Sequence, residues 1–153
     1  MESLIKLSDE HPDDIYLLWL SAILCREQKA GEEGRIQYEK LLGMVDIGTV
    51  MMHHTYANIL SESLGEHEAA LPHRKFAISK TTASWAHQGH GNTLANLERY
   101  EEALPSWEIA VRLTPTDAQY WSGWGWSLYK LTRYEEALEK YKEAHRLAPR
   151  RAD

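Results

Sequence analysis

The stretch SWAHQGHGNTLANLERYEEALPSWEIAVRLTP, residues 84–115, returns 34 positions later as AQYWSGWGWSLYKLTRYEEALEKYKEAHRLAP, residues 118–149. Of the 32 aligned positions, 14 are identical, among them Gly89/Gly123, Gly91/Gly125, the run EEAL at 101 and 135, and Pro115/Pro149. A fixed period of this length marks a repeat architecture. Within the later copy, Trp121, Trp124, Gly125 and Leu128 recur at spacings of three and four, as do Ala137, Tyr141 and Ala144. Those spacings predict two helices. A polar turn near Thr132 and Arg133 separates them, and Pro149 closes the second.

Carried towards the N-terminus, the register finds weaker copies. Residues 50–82 offer Tyr56, Ala57, Leu60, Ala70 and Ala77, with one extra residue expected in the turn around Gly65 and with Thr82 where the other copies have proline. Residues 13–46 offer Leu18, Ala22, Gly34 and Tyr38 at spacings of 4, 12 and 4. Pro12 followed by Asp13 and Asp14 predicts a helix start, with acids facing the positive helix end. The chain thus divides into an N-terminal half-repeat helix at 2–12 and four repeats at 13–49, 50–83, 84–117 and 118–153. Leu4, Ile5 and Leu7 of the half-repeat either cover the first repeat or belong to a preceding one. Pro72 and Pro105 fall in second helices, where an interior proline costs about 3 kcal/mol, so those helices are expected to begin close to the prolines, with a bend.

With Trp121, Trp124-Gly125, Leu128, Ala137, Tyr141, Ala144 and Pro149, the unit resembles the tetratricopeptide repeat. The resemblance implies an all-α fold, a right-handed α-solenoid whose first helices line a concave surface. Gly125 and Ala137 then let two helices touch while Trp121 and Tyr141 fill the space beside them. Trp107, Trp124 and Tyr134 are read as core with them.

The family's inward positions fall here on Tyr16, Trp19, Leu20 and Ile23 in the first repeat and on Met51, His54, Thr55 and Asn58 in the second. They fall on Trp85, Gln88, Gly89 and Asn92 in the third, and on Gln119, Ser122, Gly123 and Trp126 in the fourth. Met51, His54, Asn58, Trp85, Gln88, Asn92, Gln119 and Trp126 are the candidate peptide-binding residues. Gly89 and Gly123 are expected to leave room beside Trp85 and Trp126, so Gly123→Ala is expected to be nearly neutral. Asn58 and Asn92, 34 apart, are similar to a short asparagine ladder holding a peptide backbone. Residues 51–63, 85–97 and 118–129 contain no Lys or Arg, so the carboxylate clamp for acidic heat-shock chaperone tails is missing and those partners are not expected.

Composition narrows the function further. The 153 residues carry 17 Lys+Arg against 23 Asp+Glu, for a formal charge of -6, with a basic cluster at Arg150 and Arg151 near the end and no Lys/Arg face to neutralise phosphates, so nucleic-acid binding is not expected. The single Cys25 allows no internal disulfide and sits in an apolar helical stretch as a structural thiol. That stretch, from Ile15 to Cys25, is far shorter than the roughly 20 residues a membrane span needs. The opening MESLIKLSDEHP lacks the basic start of a signal peptide, so a cytoplasmic protein is expected.

His87 and His90 could share a metal but find no third spaced ligand, and His67–His73 departs from the zinc-protease spacing. No nucleophile elbow or phosphate loop occurs, and Gly89-x-Gly91 and Gly123-x-Gly125 lack a preceding strand. The expectation is a non-enzymatic adaptor, scaffold or chaperone-like binder of an extended, mainly uncharged peptide, without cofactor or metal. The alternative is a self-associating structural solenoid, or a fragment of a larger tetratricopeptide-containing enzyme or regulator, with homo-oligomerisation open.

Overall fold

A computed structural model describes residues 2–12, 14–27, 30–44 and 50–149. Asp13, the Leu4 side chain and the Arg150–Arg151 pair lie outside the described residues. Among those described, every regular element is helical: α1 Glu2–Glu10, α2 Ile15–Glu27, α3 Gly31–Met44, α4 Val50–Asn58 continuing as a π-helical turn Ile59–Ser63, α5 His67–Lys80, α6 Ser84–Asn96, α7 Tyr100–Leu113, α8 Ala118–Lys130 and α9 Tyr134–Leu147. The helices cluster into two compact units, residues 1–77 and 78–153.

In the first unit α2 packs on α3, and α1 lies against α2. The core holds Leu18 and Ala22 of α2, Tyr38 and Leu41 of α3, Tyr56, Ala57, Ile59 and Leu60 around the π turn, and Ala70 of α5. α1 reaches α3 through Lys40 Nζ to Asp9 Oδ1 at 2.7 Å, with Ile5 half-buried and Leu7 exposed. In the second unit α6 pairs with α7, α7 with α8, and α8 with α9.

The turns inside the repeats share one closure. Glu98 and Thr132 adopt the left-handed conformation at φ 60°, and Gly65 does so at φ 72°. Only glycine takes that conformation without steric cost. After each left-handed residue the next N–H folds back onto the helix: Arg99 N to Leu94 O at 2.9 Å and Arg133 N to Leu128 O at 3.0 Å. This is the Schellman closure, which satisfies carbonyls that have no partner at a helix end. In repeat 2 the corresponding bond, Glu66 N to Leu60 O at 2.7 Å, spans one residue more.

That extra residue corrects the sequence expectation. The turn itself stays three residues long, 64–66 against 97–99 and 131–133. The insertion sits in the helix, where the Leu64 N–H bonds to Ile59 O in the i to i−5 pattern of a π turn. π turns absorb single insertions by widening a helix locally.

The prolines give a second correction. α5 starts at His67 and α7 at Tyr100, so Pro72 and Pro105 lie within the helices rather than near their beginnings. They occupy one recurrent position, five residues after each helix start, and both face solvent. The carbonyl deprived of its i+4 donor can turn to water there.

Gly123 gives the third correction. A Cβ on Gly123 would lie 2.6 Å from Trp107 Cη2, and one on Gly91 would lie 2.9 Å from Trp107 Cε2. Trp107 is almost fully buried and donates Nε1–H to Ser127 Oγ at 3.0 Å. A tryptophan of α7 is therefore wedged against glycines of α6 and α8, and Gly123 is a packing residue. Gly125 behaves as expected, with its missing Cβ 3.3 Å from Ala137 O and from Tyr141. Tyr134 was read as core and is instead exposed, while Trp121 and Trp124 are partly buried beside Ala110, Val111 and Tyr120.

Candidate functional site

In the first unit the site begins with α2. Its sequence IYLLWLSAILCRE is apolar on all sides, so burying Leu18, Ala22 and Cys25 leaves Ile15, Tyr16, Trp19 and Leu20 exposed. Asp14 fixes the start of this helix by accepting the N–H groups of Tyr16 and Leu17 at 3.0 and 3.1 Å. Tyr16 is 83% exposed and Met51 53%. These side chains border a hollow of about 270 Å³ lined by Ile15, Tyr16, Trp19, Leu41, Met51 and Met52, with no charged group in its wall. Three of the positions that the repeat register points inward, Tyr16, Trp19 and Met51, thus converge.

Further along α4 stand His54 and Asn58, both half-buried. Arg74 of α5 meets both, with Nη1 3.0 Å from His54 Nδ1 and Nη2 donating to Asn58 Oδ1 at 2.7 Å. Asn58 Nδ2 lies 3.4 Å from His54 Nε2. Arg74 is only 2% exposed, and burial pulls its guanidinium down to about 10, with Glu62 acting in the opposite sense. It remains charged at neutral pH. Thr55 is buried, its hydroxyl bonded to Met51 O, so this register position faces the helix packing and not a ligand.

The sequence reading passed over Arg74. The signal is positional: counted from the start of each second helix, Tyr38, Arg74, Trp107 and Tyr141 occupy the same place, and arginine interrupts an aromatic series.

One residue back on each of the two helices, His53 Nδ1 and His73 Nδ1 approach to 2.7 Å, with Phe76 4.0 Å from the His53 ring and Tyr56 edge-on to His73. An N···N contact this short requires one ring to donate and the other to accept. Burial, reinforced by His53, pushes His73 down to about 4, and burial lowers His53 as well.

In the second unit Trp85 and Gln88 are half-buried, Asn92 is exposed and Gly89 is buried. Asn58 and Asn92 therefore share a register but not an environment, because the Asn58 carbonyl oxygen already accepts from Arg74. Trp126 is 48% exposed and stacks on Tyr129 with ring centroids 5.8 Å apart. Lys130, the last residue of α8, places Nζ 5.4 Å from the Trp126 ring and 5.7 Å from the Tyr100 ring, which brings a cation to a helix face that is otherwise free of them. Gln119 and Ser122 line a hollow of about 350 Å³ with Ala118, Tyr141, Ala144, His145 and Ala148.

His87 is buried and its pKa lowered by that burial, whereas His90 Nδ1 lies 2.8 Å from Ser106 Oγ. Among the described residues no group of three His, Cys, Asp or Glu side chains could hold a metal ion. No helix among them is long and apolar enough to cross a membrane.

Residues 89–152 match the model of the tetratricopeptide repeat. No curated protein sequence matches the chain. Among solved structures, YrrB, a TPR protein with an unusual peptide-binding site, superposes with a TM-score of 0.86 at 19% identity, over 97% of this chain and 76% of its own. MamA from Desulfovibrio magneticus RS-1 gives a TM-score of 0.87 at 16% identity, over 98% and 84%. A second MamA, from AMB-1, gives 0.81 at 22%, over 88% and 79%. At these identities the likeness establishes the fold, an all-α tetratricopeptide solenoid.

Proposed function

We propose, from the match of residues 89–152 to the tetratricopeptide repeat and from the fold, that the chain is a non-catalytic adaptor or scaffold, cytoplasmic, binding an extended and mainly uncharged peptide along its first helices. The observation that carries this reading is the uncharged hollow between Tyr16, Trp19 and Met51, where large apolar side chains stay exposed at inward positions of the repeat. Exposed apolar groups gathered in one place mark interaction sites. A volume of about 270 Å³ suits one bulky apolar side chain of a ligand. Asn92 supplies an amide for the ligand backbone and Trp126 a second aromatic anchor. YrrB, alike in fold, has a peptide-binding site of its own, which makes the peptide class a reasonable starting point.

The test is affinity capture from native lysate with wild type and with Trp19→Asp and Met51→Asp, both at exposed positions, so that the melting temperature stays within a few degrees. We expect one partner to be captured by wild type and lost in both variants. Equal capture by all three proteins contradicts the reading.

A second reading rests on the hollow lined by Gln119, Ser122, Tyr141 and His145, a place where a further helix of a copy could stack. Light scattering on the purified chain checks it: a concentration-dependent dimer that His145→Glu dissociates supports self-association, and a monomer at all concentrations removes it.

A further inference from the structure

We infer that the exposed aromatic row of repeat 4, Trp126, Tyr129 and Tyr134 with Lys130 beside it, docks a proline-rich segment in the polyproline II conformation. The inference rests on the peptide-binding reading above and assigns the chemical class of the peptide at one part of that face.

The row begins in the sequence of α8. Trp126, Tyr129 and Lys130 stand at i, i+3 and i+4 and so share one face of the end of that helix. Tyr134, the first residue of α9, follows across the turn. The rings succeed one another with centroids 5.8 and 5.6 Å apart, yet Trp126, Tyr129 and Tyr134 stay 48%, 49% and 53% exposed. The fold does not need the two α8 rings there. One period earlier the same positions carry Asn92, Ala95 and Asn96, and α6 pairs with α7 as α8 pairs with α9. Contiguous aromatic surface that packing does not demand marks a place for a partner.

Hydrogen-bond polarity selects the partner. Lys130 Nζ and the Trp126 indole N–H can only donate, and the Tyr129 and Tyr134 hydroxyls can donate as well. Among the described residues none of these groups makes a hydrogen bond or an ion pair. Proline has no N–H, and polyproline II leaves its carbonyls unbonded within the chain, so a proline run offers acceptors alone. Charge agrees with this. Arg133 in the adjoining turn is held by Glu136 and Glu101, whereas Lys130 Nζ lies only over rings, 5.4 Å from Trp126 and 5.7 Å from Tyr100, where it can reach a ligand carbonyl. The ring faces are electron-rich and attract the electron-poor C–H groups beside the proline nitrogen. Length agrees too: one polyproline turn covers about 9 Å, comparable to the run of three rings at these steps. Such a ligand is already extended before it binds, so little ordering entropy is lost.

The test uses the full chain labelled with ¹⁵N and titrated with capped decaproline, with a capped Gly-Ser peptide of the same length, and with cellohexaose, a sugar that also stacks on aromatic rings. The reading is the indole N–H signal of Trp126, assigned by its loss in Trp126→Asn. Decaproline alone should shift it. The triple variant Trp126→Asn, Tyr129→Ala, Lys130→Asn gives repeat 4 the residues that repeat 3 carries, so it should fold with an unchanged melting temperature and bind decaproline at least tenfold more weakly. Lys130→Asn alone, at an exposed side chain, should weaken binding about threefold.

A Trp126 signal indifferent to decaproline, an equal shift with the Gly-Ser peptide or cellohexaose, or undiminished affinity in the triple variant or in Lys130→Asn overturns the inference. If decaproline fails while the minimal peptide of the captured partner still loses affinity in Trp126→Ala, the proline assignment falls and the peptide-binding reading stands. If that peptide binds independently of both Trp126 and Trp19, both fall.

Discussion

Repeats 2 and 3 put opposite chemistry into the same slot. In repeat 3 Trp107 fills it, pressed against Gly91 and Gly123 and tied to Ser127 by its indole N–H. In repeat 2 Arg74 fills it, tied to His54 and Asn58. The tryptophan contributes apolar area and shape, so its environment is set by small residues that let backbones approach. The arginine contributes little net stability, because desolvating the cation offsets the bonds it makes. What it provides is orientation of the polar groups above it. The lesson is that one slot of the repeat scaffold accepts either a packed ring or a buried cation that orders polar neighbours.

The largest expected effect that tests this contrast is Trp107→Ala. Removing a fully buried tryptophan wedged between helices should cost about 3–5 kcal/mol, read as a large drop in thermal midpoint. A loss below about 1 kcal/mol would mean that the slot is not a packing centre. Gly123→Ala follows. Its Cβ meets the rigid, buried Trp107 ring, and overpacking of this kind costs roughly 1–3 kcal/mol against a helix-propensity gain of at most about 1. A net stabilisation would restore the outward-facing reading of Gly123. Thr132→Gly should go the other way, stabilising by about 0.5–1 kcal/mol, since a β-branched residue sits at φ 60° where repeat 2 uses Gly65. An unchanged midpoint would show that the left-handed turn stores no strain.

Repeat 2 should also be the more sensitive to acid. His73 is held down to about 4 by burial and by its neighbour His53, whereas an unfolded histidine titrates near 6.5. Between those values the unfolded chain binds more protons than the folded one, so the stability this pair contributes is complete above about pH 6.5 and is lost as pH falls towards 4. His87 acts in the same direction, so the check is the difference between wild type and His73→Gln in melts across that range. Parallel curves would show that the His53–His73 contact carries no linkage. The smallest effect belongs to the surface pair Arg133–Glu136, bonded at 2.7 Å but largely exposed. Arg133→Ala should leave the midpoint of a denaturant titration almost unchanged, because solvent screens an exposed pair.

Much of this contrast was legible in the sequence, and the rest was not for identifiable reasons. The 34-residue period places the helix pairs of repeats 3 and 4 correctly, because spacing of apolar residues is a local property of each helix. It also points Tyr16, Trp19 and Met51 to one side, where they line a single hollow. The extra residue of repeat 2 could be counted but not located, since a longer turn and a π turn produce the same spacing and only the hydrogen-bond pattern separates them. Gly123 was misplaced because its neighbour Trp107 arrives from the preceding helix, a contact that no rule confined to α8 can see. Tyr134 recurs with Tyr100 and so looked like core, yet recurrence at a helix start reflects the turn as readily as burial. Arg74 was available to the same register that aligned Trp107 with Tyr141, but only once the π insertion had been assigned to the helix.

The central claim, an uncharged peptide held by apolar anchors and amide bonds on the first helices, is tested most directly by the salt dependence of affinity. Calorimetry with the minimal peptide of the captured partner, at low and at moderate salt, on wild type and on Trp126→Ala, measures it. Hydrophobic anchors and neutral hydrogen bonds, the latter about 0.5–1.5 kcal/mol each, are little screened, so the dissociation constant should change by less than about twofold between the two salts. Trp126→Ala should weaken binding by tenfold or more at both. A steep fall of affinity with salt, together with unaltered binding by Trp126→Ala, would contradict the account and place recognition on the charged faces of the second helices.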